Sequence, residues 1–455
     1  METIDTASGP RGSAQKARFV EGSLLRHILV MTGTGAVGLV AIFIGDLANI
    51  LFLSWLKDEA VVAAVGYASS ILFFTTSIGI GLSIAATALV SPRVGAGDRA
   101  KARRYAASAM VLTVIASAVL TLAVWLTVGP MLTLLGATGR THALASSYLS
   151  ILVPFLPPLA LAMTTTAVLR SVGDARRAMN VTLVGAFANL ALDPVLIFGL
   201  GLGIEGAAIA SSLARLSMAV YGLYATIRVH DIVGEPSAAT VVEDAAPLGA
   251  VAIPAVLTNI ATPVGNAYVT AAIAVHGDSA VAAWAIIGRV MPVAFGSIYA
   301  LSGAIGPVIG QNFGAGQNAR MRRAFTLSLW VTAGFTFAAW IALLVLEHAI
   351  LAAFHAEGET AHLISVFCRY LSPLFLFLGF LFVANAAFNT LGKAQLSTML
   401  NWARATIGTV PFVEAGSRLG GAEGVLGGNM LGGIAFGLLG VWLCFRLMDR
   451  IGQDT

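Results

Sequence analysis

Apolar residues in this chain come in long runs, and short polar breaks separate them. Runs of about 18 or more apolar residues can cross roughly 30 Å of hydrocarbon as helices. A membrane β-barrel would show alternating segments of about ten residues instead, and that alternation is absent. The pattern predicts twelve helical spans, at roughly 27–55, 61–90, 105–135, 146–169, 178–200, 204–227, 246–275, 280–308, 324–354, 362–390, 396–415 and 424–447. The expected fold class is therefore an all-α integral membrane protein with twelve transmembrane helices.

Composition supports this reading. Of the 455 residues, 11% are Asp, Glu, Lys or Arg and 58% are hydrophobic, whereas a soluble domain carries about a quarter charged residues. Charge changes the picture mainly through its placement. The breaks after spans 2, 4 and 8 read SPRVGAGDRAKARR, LRSVGDARRA and GQNFGAGQNARMRR. The breaks on the other side are acidic or nearly neutral, with Lys57, Asp58, Glu59, Glu205, Asp278 and the stretch from Glu347 to Glu359. The positive-inside rule then predicts that both termini are cytoplasmic. The break after span 6 carries Asp231, Glu235, Glu243 and Asp244 against Arg228. The rule counts Lys and Arg rather than net charge, so the assignment stands.

That sixth break is the longest polar connection, and it divides the spans six and six. Gly95-Ala96-Gly97 recurs as Gly314-Ala315-Gly316, an offset of 219. At the same offset Ala63-Ala64 recurs as Ala282-Ala283, Arg103-Arg104 as Arg322-Arg323, and Gly173 and Ala175 as Gly392 and Ala394. Matches in register over this distance predict an internal duplication. Six spans is an even number, so both copies have one orientation and are related by a pseudo-twofold axis along the membrane normal. The expected organisation is a cytoplasmic tail at 1–23, a first lobe at 24–229, an interlobe loop at 230–245, a second lobe at 246–447 and a tail at 448–455.

Two acids lie deep in apolar spans, where a charge costs at least about 2.5–3.5 kcal/mol on insertion scales. Asp46 is in span 1 and Asp193 is in span 5, with Asn189 one helical turn before Asp193. Pro194 follows. It has no N–H, and its ring crowds the carbonyl of Leu190, so the helix is expected to bend or open there. Asp46, Asn189 and Asp193 form a candidate H⁺ or Na⁺ site. Ser211 is a further candidate in span 6, and Asn49 lies one turn from Asp46. Two facing carboxylates would repel, so the pair would hold one H⁺, or one Na⁺ with both ionised. Spans 7, 8 and 10 contain no acid, and Glu414 falls near the end of span 11. The second lobe carries Arg289, Arg369 and Arg404 instead. Asn49, Tyr67, Phe155, Asn259, Asn266, Tyr268 and Arg289 are candidate cavity-lining residues. Pro194, Pro254 and Pro373 are candidate bends.

The residues point away from enzyme chemistry. HExxH, the phosphate-cradling GxxxxGK and a Ser–His–Asp grouping are absent from the sequence. GAGDRAKARR lacks the strand that a nucleotide loop follows. Cys368 and Cys444 have no ligand-like spacing partner, so no structural metal or cofactor is expected. The scattered basic residues do not suggest nucleic acid as a partner. Active transport would then draw on an ion gradient.

These residues resemble the multidrug and toxic compound extrusion (MATE) family. The most specific stretch is RSVGDARRAMNVTLVGAFANLALDPVLIFGLGLGIEGAAIAS, residues 170–211. The paired loops GAGDRAKARR and GAGQNARMRR and the six-plus-six duplication agree. The resemblance implies a monomeric, multi-pass protein of the cell (inner) membrane. It also implies efflux of organic compounds, mainly cations, in exchange for H⁺ or Na⁺ by alternating access. It carries the family's helix 1 aspartate onto Asp46, the helix 5 pair onto Asn189 and Asp193, and a helix 6 hydroxyl onto Ser211. With no acid in spans 7, 8 or 10, the chain is similar to the DNA-damage-inducible-like branch, which couples through the first lobe. Span 1 departs from the family, because HILVMTGTGAVGL has no proline before the aspartate. Gly33, Gly35 and Gly38 are expected to supply flexibility there. The alternative within the superfamily is a flippase or exporter of a lipid-linked or other polar metabolite, which calls for a wide, basic cavity.

Overall fold

The computed structural model describes residues 17–453, and helices account for nearly all of them. We number the spans α1 (Leu24–Ser54), α2 (Glu59–Gly95), α3 (Arg99–Leu134), α4 (Gly139–Ser171), α5 (Ala175–Gly199) and α6 (Gly203–Val229). The second six are α7 (Ala238–Ala274), α8 (Asp278–Gly314), α9 (Asn318–Ala353), α10 (Gly358–Thr390), α11 (394–419) and α12 (422–453). α8 bends by 49° between Ala294 and Gly296. The chain reverses between α11 and α12 at Gly420 and Gly421, and Gly421 takes φ of 57°, a left-handed conformation that glycine adopts without steric cost.

The helices outlast the apolar runs at most ends because polar residues cap them. Ser23, Asp58, Asp98 and Asp174 accept hydrogen bonds from first-turn amides of α1, α2, α3 and α5. A reciprocal Ser237–Thr240 box starts α7 at Ala238. Residues 238–245, expected as interlobe loop, are therefore helical. α12 likewise runs through Gln453, past the expected tail boundary. Of the expected N-terminal tail, residues 1–16 lie outside the described residues.

Backbone geometry carries the duplication. Gly97 and Gly316 have φ of 74° and 69°, Gly139 and Gly358 have 54° and 55°, and Gly173 and Gly392 have 87° and 72°. All three pairs are 219 residues apart. The lobes meet through α1, α2, α7 and α8, and these contacts obey the same symmetry. A Cβ at Gly95 would overlap the backbone of Gln311, and one at Gly314 would overlap the backbone of Pro92. Adding 219 to 92 gives 311, so the two contacts are one contact repeated by the pseudo-twofold axis. Gly35 against Ala300 and Gly81 against Ala252 and Val256 form a second such repeat.

These interlobe contacts lie in the half of the molecule toward the N-terminal face, the face that carries residues 18–23, 96–98 and 315–317. A strap closes that face. Phe19 donates its N–H to Gln311 Oε1 at 2.8 Å, and Gln311 Nε2 donates to the Ser171 carbonyl of the first lobe at 2.7 Å. Arg320 donates to the carbonyls of Phe19, Glu21 and Gly22, and Arg18 donates to that of Gly173. Toward the opposite face, Asp46 on α1 and Arg289 on α8 are exposed. A charge facing lipid at this depth is costly.

Candidate functional site

The first-lobe polar cluster forms where α1, α4, α5 and α6 converge. Close helix approach makes it possible. Gly38 of α1 faces Thr182 of α5, Gly185 faces Met218 of α6, and Gly206 faces the backbone of Leu196. Small residues let backbones come near enough for short side chains to meet. Pro194 ends the regular hydrogen bonding of α5, and Val195–Gly199 winds as a π turn. Such widened turns recur at functional sites. Here one starts directly after Asp193-Pro194, as the proline suggested.

Asp193 is fully buried. Asn49 Nδ2 donates to its Oδ2 at 3.1 Å, whereas Oδ1 has no partner among the described residues. One turn before it, Asn189 Oδ1 accepts a hydrogen bond from Ser211 at 3.3 Å. Asp46 is exposed and lies in the attractive field of Arg215, four residues after Ser211 on α6. The buried Tyr148 of α4 joins the group, interacting with Ser211 and with the Arg215 charge. Arg215 also donates to the Leu152 carbonyl at 3.3 Å, just ahead of the 3₁₀ turn Val153–Phe155.

The structure thus brings Asp46, Asn49, Asn189, Asp193 and Ser211 to one site. It differs from the expected facing carboxylates in how each acid is partnered, because Asn49 serves Asp193 and Arg215 serves Asp46. Tyr148 and Arg215 were not singled out from sequence. A tyrosine in an apolar span reads as packing. Arg215 had a usable signal, since its i+4 spacing from Ser211 puts both on one face.

The other candidates lie elsewhere. Tyr67 and Phe155 are half-buried in the first lobe, and Tyr67 packs on its core. Tyr268 packs on the second-lobe core. Asn259 turns its amide to the Ala255 carbonyl of its own helix at 2.8 Å, and Asn266 is exposed. Arg369 is neutralised by a two-pronged pair with Glu347 at 2.8 and 2.7 Å, and Glu414 pairs with Arg418 near the end of α11.

Arg404 is different. It is 9% exposed on α11, at the start of another π turn, Arg404–Gly408. It donates to Thr262 Oγ1 of α7 at 3.3 Å, and its Nε has no partner among the described residues. Four buried side-chain polar atoms lack partners among the described residues, and two of the four belong to ionisable groups. These are Asp193 in the first lobe and Arg404 in the second.

The MatE family model matches the chain twice, over residues 36–195 and 254–413. A protein of Shewanella oneidensis named FAD transporter is 30% identical over 437 residues, covering 94% of this chain and 96% of that one. The multidrug export protein MepA of Staphylococcus aureus is 22% identical over 426 residues, covering 92% and 93%. Among solved structures, an outward-facing multidrug resistance MATE family transporter superposes with a TM-score of 0.89 at 21% identity, covering 98% of this chain and all of that one. A mutant of the Vibrio cholerae MATE transporter VcmN superposes at 0.86 with 24% identity, covering 95% and 98%. A family model that matches each lobe in turn, on twelve spans in two pseudo-symmetric halves, makes this chain a membrane transporter of the MATE family.

Proposed function

We propose that this transporter exports small organic compounds in exchange for H⁺ or Na⁺ by alternating access, and that Asp193 and Asp46 hold the exchanged ion in the first lobe. The observation that carries this reading is the Asp193 carboxylate, buried with one oxygen unpartnered. A carboxylate so enclosed has two economical states, one with a proton and one with a bound cation. Asn49 fixes its orientation. Asn189 and Ser211 put neutral oxygens on the same side of α5. Asp46, exposed at the cleft, links this site to solvent and to Arg215. Closing the lobes at one face and parting them at the other would let the ion and the exported compound use the cleft in turn.

Organic cations fit this arrangement, because the ion and a positively charged compound would compete for the same acids. The printed name of the Staphylococcus relative is consistent with such cargo. Organic anions are the second reading. The Shewanella relative is named for FAD, which carries a diphosphate, and Arg404 is a buried arginine paired with no acid among the described residues.

The test is uphill transport by purified protein in liposomes under an imposed pH or Na⁺ gradient. D46N and D193N are each expected to lose at least about tenfold of gradient-driven transport at equal protein incorporation, the scale of about 1.4 kcal/mol or more. Gradient-driven transport by D193N at the parental rate would overturn the assignment.

A further inference from the structure

The second lobe has no acid in the apolar stretches 246–275, 280–308 and 362–390 of α7, α8 and α10, yet it buries an arginine. Five N–H donors on a guanidinium call for several acceptors, and among the described residues Arg404 has one side-chain acceptor, Thr262. Removing a charge from water without an opposite charge is among the costliest arrangements in a fold. The Asp and Glu residues of this lobe stand at or near helix ends, where Glu347 serves Arg369, Glu414 serves Arg418 and Glu423 serves His362. Among the described residues, none pairs with Arg404. The π turn at Arg404–Gly408 interrupts α11 at this residue.

One aromatic side chain lies within electrostatic range of Arg404 and belongs to a larger ring cluster. Tyr299 of α8 senses its charge. The Tyr299 ring lies 5.3 Å from Phe382 and 6.0 Å from Phe375, both on α10, and Phe375 stacks on Phe295 at 4.0 Å. Tyr299 and Phe382 are only partly buried. A guanidinium in range of Tyr299, whose ring meets that of Phe382, offers an anion partner and a stacking surface together. Gly265 stands 219 residues after Asp46, and a Cβ there would touch Ala405, next to Arg404. The second lobe therefore sets a cation near the position where the first lobe sets Asp46.

We propose that Arg404, with Thr262, Tyr299 and Phe382, forms a substrate subsite for an aromatic organic anion, binding its phosphate or carboxylate at the guanidinium and its ring at Tyr299 and Phe382. This deepens the transport reading and rests on it. The ion and the anionic cargo then occupy different lobes, and exchange is coupled through the shared lobe motion rather than through competition for one acid.

The experiment is ligand binding to purified full-length protein with three fluorescent probes. Riboflavin and riboflavin 5′-phosphate share a ring and differ by a phosphate, and ethidium is an aromatic cation. The parent is expected to bind the phosphorylated flavin at least tenfold tighter than riboflavin. R404Q is expected to bring that ratio to about one, and R404K to keep part of it. R418Q, which removes an exposed arginine from the same lobe, is expected to leave the ratio intact. T262C, labelled with a maleimide, keeps the test independent of whether R404Q folds. The phosphorylated flavin is expected to protect Cys at that position and riboflavin is not. A parental preference for phosphate that R404Q retains, or labelling protected equally by both flavins or by neither, would overturn the subsite while leaving an anion exporter standing. A parent that binds ethidium and does not distinguish the two flavins would overturn the subsite and the anionic reading together. Loss of ion-driven transport in D193N is a separate readout, so failure of the coupling assignment is seen independently.

Discussion

Asn49 reaches from α1 to orient Asp193 on α5, and this single contact is the most direct link between the two helices that carry the acids. Hydrogen bonds to charged groups contribute about 1.5–3 kcal/mol. N49L is therefore expected to cut gradient-driven transport about tenfold or more while the protein still folds, and transport in liposomes checks it. A second expectation concerns Asp174, which caps α5 at the N-terminal face. Burial alone would push its carboxyl up. Hydrogen bonds from His230 and from the Arg177 amide and guanidinium outweigh that and hold it well below the usual carboxylate range. A depressed carboxyl contributes stability that is fully present above its unfolded value, about 3.9, and is lost as pH falls toward the folded value. D174N is expected to lower the melting temperature near neutral pH, with the gap narrowing below about pH 4. A gap that widens in acid would contradict this. Asp46 and Asp193 were legible in the sequence because a charge in an apolar span is expensive and stands out. Arg404 was also visible there, but sequence cannot tell a buried unpaired arginine from one that snorkels to the interface.

At the level of helices, close approach at glycine shapes the molecule. Gly95 and Gly314 let α2 and α8 cross backbone to backbone at the N-terminal face. G95V is expected to force the lobes apart there, lengthening the distance between spin labels at Ala96 and Ala315, and an unchanged distance would contradict the account. The strap held by Arg320 bears on the same closure. R320A removes the donors to the carbonyls of Phe19, Glu21 and Gly22, so amides 18–23 are expected to exchange with deuterium faster than in the parent. Number and order of the helices were legible from run length alone, because no other backbone structure satisfies its hydrogen bonds within lipid so simply. Their ends were read short, since polar caps such as Ser237 extend a helix past its apolar run. Of the π turns, Pro194 announced the one in α5. That at Arg404 has no proline and no local signal.

On the scale of the whole molecule, two copies of one six-helix unit have diverged in charge. The 219-residue register was readable in short motifs, and the paired left-handed glycines and the mirrored Gly95–Gln311 and Gly314–Pro92 contacts carry it in three dimensions. The opposition of an acid centre to a basic one was only half readable, because the absence of acids in the second lobe says nothing about what replaces them. The orientation expected from the positive-inside pattern is checked by labelling. Cysteines at Arg99 and Glu357 are expected to react with an impermeant maleimide from the cytoplasmic and the outer side, respectively. The central claim is that ion coupling resides in the first lobe alone. It is tested most directly by the affinity of purified protein for an exported compound, measured across about pH 5 to 8 with and without Na⁺. Linkage requires that an ion which weakens ligand binding be weakened by the ligand to the same degree. The account predicts that the parent's affinity changes with pH or Na⁺ and that the D46N/D193N double variant shows a flat response. A dependence that survives in the double variant and disappears in E414Q would place the coupling site in the second lobe and contradict the account.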